Sequence, residues 1–149
     1  MSTMLATIAT AWTRAWSDGE TAAFEEITSP DYVRISKTGR EHLPEVLTQI
    51  RESHDAFTGF TMEILHAVED GDMIAIHWKS SGRHTGTFMD VPPTGRTVTV
   101  QGAAFLRHRD NRITEETVVW DPRELLSAMN IWHIGTRRPG RRTMEGVPT

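Results

Sequence analysis

Cysteine is absent from this 149-residue chain, which removes disulfide scaffolds, cysteine-ligated zinc and thiol catalysis together. Lysine is scarce: of the 16 basic residues, two are lysine and the other 14 arginine. Acidic residues number 20, so the net charge is -4. A nucleic-acid binder shows phosphates a basic face, and this balance argues against such a partner. No run approaches the roughly 20 apolar residues of a membrane span. The opening stretch MSTMLATIATAWTRAWSDGE has no basic leader ahead of its apolar part, so it reads as a helix rather than a secretion signal, and a cytoplasmic location is expected. Also missing are His-Glu-x-x-His, Gly-x-Gly-x-x-Gly, a phosphate-binding Gly-Lys-Ser/Thr loop and a Gly-x-Ser-x-Gly elbow. Metalloprotease, nucleotide-binding and serine-hydrolase chemistry therefore lack their parts.

What is present is a regular apolar pattern, enough for one domain over residues 1–134. Residues 135–149 hold Arg137, Arg138, Arg141 and Arg142 among Pro139, Gly140, Gly146 and Pro148, a composition that predicts a basic, flexible tail. Leu5, Ile8, Ala11, Trp12, Ala15 and Trp16 recur at three- and four-residue steps, predicting a helix from Ser2 to Ser17. A short second helix carries Phe24 and Ile27, and a third opens at Pro44 with Val46, Leu47 and Ile50 inward. Between them Asp31 to Ile35 reads as a brief extended piece. The second half alternates with period two: a strand through Phe60, Met62 and Ile64, a return from Met73 to Arg83, and a pair over Thr97–His108 and Ile113–Trp120. Asp70-Gly71 and Asp110-Asn111 supply the hairpin turns. A last helix follows Asp121. Helices first and an antiparallel meander after them predict an α+β cone with an interior, the helices packed in a curved sheet. A one-sided sheet with a mixed outer face predicts a homodimer through that face.

Several residues in this frame could carry chemistry. Thr117, Val119 and Asp121 share one parity of the last strand, which would place the Asp121 carboxylate at the end of an apolar cavity, where desolvation raises its pKa. The same Asp121-Pro122-x-Glu124 run is also an ordinary helix start, with a capping Asp and Pro at the first helical position. His84 follows Arg83 between Gly82 and Gly86, where backbone can approach a ligand closely; it reads equally as an exposed loop histidine. His77 lies opposite in parity to Ile76 and Trp78 and reads as surface. Gln101, Phe105 and Arg107 share a parity that either lines the cavity, where they could hydrogen-bond a carbonyl or phenolate, or faces a dimer partner. Trp12, Trp16, Tyr32 and Trp78 could wall a flat pocket or be plain core. His108-Arg109-Asp110 resembles half of an iron-binding triad, but it falls on a hairpin turn with no distal histidine placed to complete it, so no metal is expected.

The series Arg83-His-Thr-Gly-Thr-Phe88, Val91-Pro-Pro-Thr-Gly-Arg96, Arg107 with Asp110-Asn-Arg-Ile113, and Glu115, Trp120-Asp121 and Leu125-Leu126 resembles the SnoaL-like polyketide cyclases of the NTF2-like superfamily. The resemblance runs from about Trp12 to Asn130. It implies a tailoring enzyme of aromatic, anthracycline-type polyketide biosynthesis, with Asp121 as the catalytic carboxylate, His84 and Arg107 as further candidates, and no bound flavin or metal. The reaction would be aldol ring closure, or hydroxylation drawing on oxygen and a separate reductase; the alternative is a non-catalytic ligand-binding or dimerisation module. Two departures stand out. Glu116 and Thr117 occupy the places where the family usually has His-Trp, and Phe57-Thr-Gly-Phe60 replaces a turn that often carries an aspartate.

Overall fold

The computed structural model describes residues 3–37 and 39–131, and the expected basic tail lies outside the described residues. Helix α1 spans Thr3–Asp18 and buries Leu5, Ile8, Trp12, Ala15 and Trp16, the stripe expected from spacing. Helix α2, Thr21–Ile27, turns Phe24 and Ile27 inward. Strands β1, Thr28–Ser36, and β2, Gly39–His42, form a small antiparallel hairpin. Helix α3, Leu43–Ala56, has proline in its first turn, and the Glu45 carboxylate accepts from the His42 backbone N–H at 2.6 Å, satisfying a donor the helix start would otherwise leave open.

Four long strands follow: β3, Phe57–Asp70; β4, Met73–His84; β5, Thr97–Arg109; and β6, Arg112–Trp120. Helix α4, Pro122–Ala128, closes the described chain. The sheet order is β2-β1-β6-β5-β4-β3. The β5–β6 turn has both Asp110 and Asn111 at positive φ, the two-residue geometry that Asx residues tolerate and that matches the twist of the strands. The β3–β4 register slips twice, between Thr58 and Thr61 and between Ile64 and His66. Each slip places an extra residue on one strand and sharpens the local bend, helping to curl the sheet around the helices.

One pairing departs from the expected antiparallel meander. β1 joins the sheet alongside β6 in parallel, with Val33, Arg34 and Ile35 opposite Glu115, Glu116 and Thr117, so the sheet is mixed. Period-two alternation reports which residues share a face but nothing about the direction of a neighbouring strand, which is why the sequence could not show it.

The inner face of the sheet is the even-numbered one: Ile74, Ile76, Trp78 and Ser80 on β4, and Val98, Val100, Ala104 and Leu106 on β5, are buried. Gly102 sits opposite Trp78 on that face. A methyl group there would come within 2.7 Å of the Val119 carbonyl oxygen and closer still to the Trp78 ring. Gly102→Ala should therefore destabilise the fold by about 1–3 kcal/mol through overpacking. Urea unfolding checks this, and an unchanged midpoint would mean that Trp78 does not lie over the glycine.

Candidate functional site

Between the inner face and the helices lies a cavity walled by Trp12, Trp16, Phe60, Met62, Trp78 and Val100. Its walls are apolar, and its floor is not. Glu116 on β6 is 1% exposed. Its Oε1 accepts from the Tyr32 hydroxyl at 2.6 Å, and its Oε2 accepts from Trp12 Nε1 at 3.4 Å. Arg34, directly across the parallel β1–β6 pair from Glu116, is 8% exposed. Its guanidinium carbon stands 5.6 Å from the centre of the Trp16 ring, within reach of a cation–π contact. The Arg34 Nε lies 3.7 Å from Glu41 Oε1, and Gln49 donates to the other oxygen of Glu41.

Burying a carboxylate costs several kcal/mol unless donors and a counter-charge replace the lost water. The floor supplies two donors to Glu116, from Tyr32 and Trp12, and holds the Arg34 guanidinium, whose nearest carboxylate is Glu41, on the neighbouring strand. The Tyr32 phenol also feels the cluster. Burial, and then the Glu116 charge beside it, push its pKa far above the ordinary tyrosine range, so the hydroxyl keeps its proton and remains a donor.

Of the expected binding residues, Trp12, Trp16 and Trp78 line the cavity. Tyr32 meets it through Glu116 and packs edge-on against Phe24. The other candidates are placed differently. Asp121 stands at the cavity mouth, where its side chain is half exposed. Its oxygens accept from the Arg123 backbone N–H at 2.9 Å and from the Arg123 guanidinium at 3.1 Å. The expectation of a raised pKa is therefore overturned: the Arg123 side-chain hydrogen bonds, joined by the backbone one, hold this carboxyl below its usual range. Structurally, Asp121 is the N-cap of α4.

His84 is also not an exposed loop residue. It is completely buried, packs against Phe57, and its Nδ1 accepts from the Thr94 backbone N–H at 3.2 Å. It thereby fastens the Pro92–Gly95 loop to the end of β4, away from the cavity lining. Arg107 is an outer-face residue bonded to Asp72 at 3.2 Å, and Phe105 beside it is 38% exposed. Gln101, Thr117 and Val119 have the same outward parity, although they too border the depression. Gln101 is held there by His77, whose Nε2 lies 2.9 Å from its Oε1.

Sequence reasoning missed Glu116 as a functional group, along with Arg34 and Glu41. The signal was available: Val98 and Val100 between Thr97, Thr99 and Gln101 mark even parity as inward on β5. Pairing β6 to β5 then puts Glu116 beside Leu106 and turns it in with Val118.

A curved α+β cone with a polar floor under an aromatic cavity belongs to the NTF2/ketosteroid isomerase-like class of fold. Residues 6–129 match the model of the SnoaL-like polyketide cyclases, and the chain belongs to that family. IdmH from Streptomyces antibioticus, a proposed polyketide cyclase, is similar at 25% identity and a TM-score of 0.76, over 87% of this chain and 100% of that one. AclR from Streptomyces galilaeus, a proposed hydroxylase, is similar at 24% identity and a TM-score of 0.76, over 86% of this chain and 83% of that one. A protein of ketosteroid isomerase-like fold from Catenulispora acidiphila, bound to trimethylamine, aligns at 19% identity and a TM-score of 0.68, over 83% of this chain and 92% of that one. No curated protein matches the chain.

Tyr32 is the only tyrosine, which makes the floor directly observable. Its folded pKa lies above the unfolded value of about 10, so its contribution to stability is complete below that pH and is lost as the pH rises further. Stability should decline above pH ~10 by up to about 1.4 kcal/mol per pH unit from this group. Tyrosinate absorbance should appear only together with unfolding. Tyr32→Phe should cost about 1.5–3 kcal/mol at neutral pH, the range for a hydrogen bond to a charged group, and flatten the alkaline decline. Tyrosinate forming in the folded protein near pH 10 would contradict the buried bond to Glu116.

Proposed function

We propose that this chain is a tailoring enzyme acting on a flat, polycyclic aromatic polyketide of the anthracycline type, and that Glu116 is its acid–base group. The observation that carries this reading is the carboxylate at the floor of a tryptophan-walled cavity, 1% exposed and held by Tyr32 and Trp12. Such a group is oriented before substrate arrives, and its burial strengthens its interaction with a reacting proton. In ring closure, Glu116 takes the proton from a carbon flanked by carbonyls. The enolate carbon then attacks a neighbouring carbonyl carbon, and the resulting alkoxide is protonated. This aldol step needs no oxidant.

The likeness to AclR favours hydroxylation as a second reading. There, the same deprotonation yields an electron-rich ring that reduces oxygen; one oxygen atom enters the product and the other leaves as water. The additional two electrons come from a separate reductase or from a quinol form of the substrate. Neither reading calls for a bound metal or flavin. Asp121 serves in both as the cap that fixes α4 at the cavity mouth. The outer face, with Phe105 and Val119 exposed among polar neighbours, fits a second copy of the chain, and sedimentation at micromolar concentration tests that homodimer.

Incubation with an anthraquinone-type polyketide ester, with and without oxygen and a reductase, separates the reactions. An isomer formed without oxygen supports ring closure, and a product gaining one oxygen atom supports hydroxylation. Glu116→Gln should lower turnover about 100- to 10,000-fold, the usual contribution of a general acid–base group. Asp121→Asn should leave turnover near normal because the amide oxygen can still cap, whereas Asp121→Ala should lower the melting temperature. If turnover instead collapses in Asp121→Asn and survives in Glu116→Gln, the acid–base assignment is reversed. If neither product forms, the cone is a binding module.

A further inference from the structure

Two side chains that line the cavity with Glu116 carry N–H groups that no acceptor in the fold hydrogen-bonds. Among the described residues, Trp16 Nε1 and Arg34 Nε and Nη1 are buried without a hydrogen-bond partner. The Arg34 Nε faces Glu41 Oε1 at 3.7 Å, beyond hydrogen-bond reach. Arg34 and Trp16 both line the cavity, as does Glu116, and the guanidinium is stacked over the Trp16 ring. A buried N–H left unpaired costs about 1–3 kcal/mol, so three of them on two adjacent side chains that line one cavity mark a place where an acceptor from a ligand belongs. The cluster's charge indicates which acceptor. Glu116 and Glu41 already oppose Arg34, which disfavours a ligand that arrives as an anion. A neutral carbonyl that becomes negative while Glu116 becomes neutral leaves the total charge of the floor unchanged.

We propose that Arg34 and Trp16 form a donor pair that receives the carbonyl oxygen of a flat, enolisable aryl ketone and holds the negative charge that develops there as Glu116 takes the adjacent carbon-bound proton. The carbon–hydrogen bond breaks, its electron pair moves into the new carbon–carbon double bond, and the carbonyl π pair settles on oxygen between the Arg34 and Trp16 N–H groups. The proton resides on the Glu116 carboxyl until it is returned. This rests on the acid–base role of Glu116 given above, and it assigns the ligand class as one with an acidic carbon beside a ring carbonyl.

Hydrogen–deuterium exchange tests it without requiring the natural substrate. The probe is a bicyclic aryl β-keto ester of the tetralone type, incubated with the full chain in D2O at mildly acidic pD, where the uncatalysed exchange is slow, and followed by proton NMR. The folded protein should accelerate exchange of the acidic hydrogen. Trp16→Phe keeps a ring and removes one N–H, and should lower the maximal rate by about 100-fold with little change in half-saturation, as for loss of one donor to a developing oxyanion. Arg34→Lys keeps the charge beside Glu41 but loses the planar fork, and should slow exchange at least as much. If Arg34→Lys does not fold, Trp16→Phe decides alone. Exchange at the wild-type rate in folded Trp16→Phe, or no acceleration by the wild type, overturns the proposal. Exchange without ring closure or oxygenation of the polyketide ester leaves the donor pair standing and removes the tailoring reading. Product formation indifferent to both substitutions does the reverse.

Discussion

The parallel pairing of β1 with β6 governs most of what is distinctive here. It is the only parallel seam among the described strands, and it sets Arg34 against Glu116 at the centre of the inner face. Tyr32, two residues earlier on the same face of β1, reaches the same carboxylate. A shift of one residue in this register would turn Arg34 and Tyr32 outward together, because side chains alternate strictly along a strand. The buried carboxylate would then lose its shorter hydrogen bond, from Tyr32, and keep only the longer one from Trp12. The polar floor thus fixes the register, and the register creates the floor.

The tryptophans connect that floor to the helical layer. Trp12 and Trp16 are one helical turn apart on α1, with ring centres 6.4 Å apart, and each is tied to one charged residue of the sheet. Trp12 donates to Glu116, and Trp16 lies under Arg34. The stripe that buries α1 therefore performs two tasks: its aliphatic members close the core, and its two indoles meet the ionic cluster with a donor and a π-face. A helix packed by leucines alone would exclude water equally well, but it would offer the buried carboxylate no hydrogen bond.

Much of this was legible in the sequence. The helices, hairpin turns and long strands follow from spacing and turn residues, and the α1 stripe is reproduced except that Ala11 is only partly buried. The faces of β5 and β6 were harder to assign. Gly102 to Leu106 and Thr117 to Trp120 place apolar or small residues on both parities, so alternation gives no preferred face there. Gln101, Phe105, Arg107, Thr117 and Val119 were consequently considered for the interior, and all face outward. Glu116 could be turned inward from the β5–β6 hairpin, but its pairing with Arg34 was hidden. A charged residue in a strand reads as solvent-facing until its partner is known, and theirs lies on a strand 82 positions away whose parallel pairing leaves no trace in periodicity.

The contrast between the two carboxylates follows from where each sits on its element. Asp121 falls at a helix start, where free backbone N–H groups and the positive end of the helix favour the ionised form, and Arg123 reinforces that preference. Its carboxyl is accordingly held below the usual range, chiefly by the Arg123 side chain. Glu116 occupies the middle of a strand, where backbone donors are committed to the sheet. Only side chains solvate it, namely Tyr32 and Trp12, with Arg34 as its neighbour. If Glu116 is the proton-transfer group, as proposed, the transfer takes place at a buried site on the floor rather than a half-exposed one at the mouth.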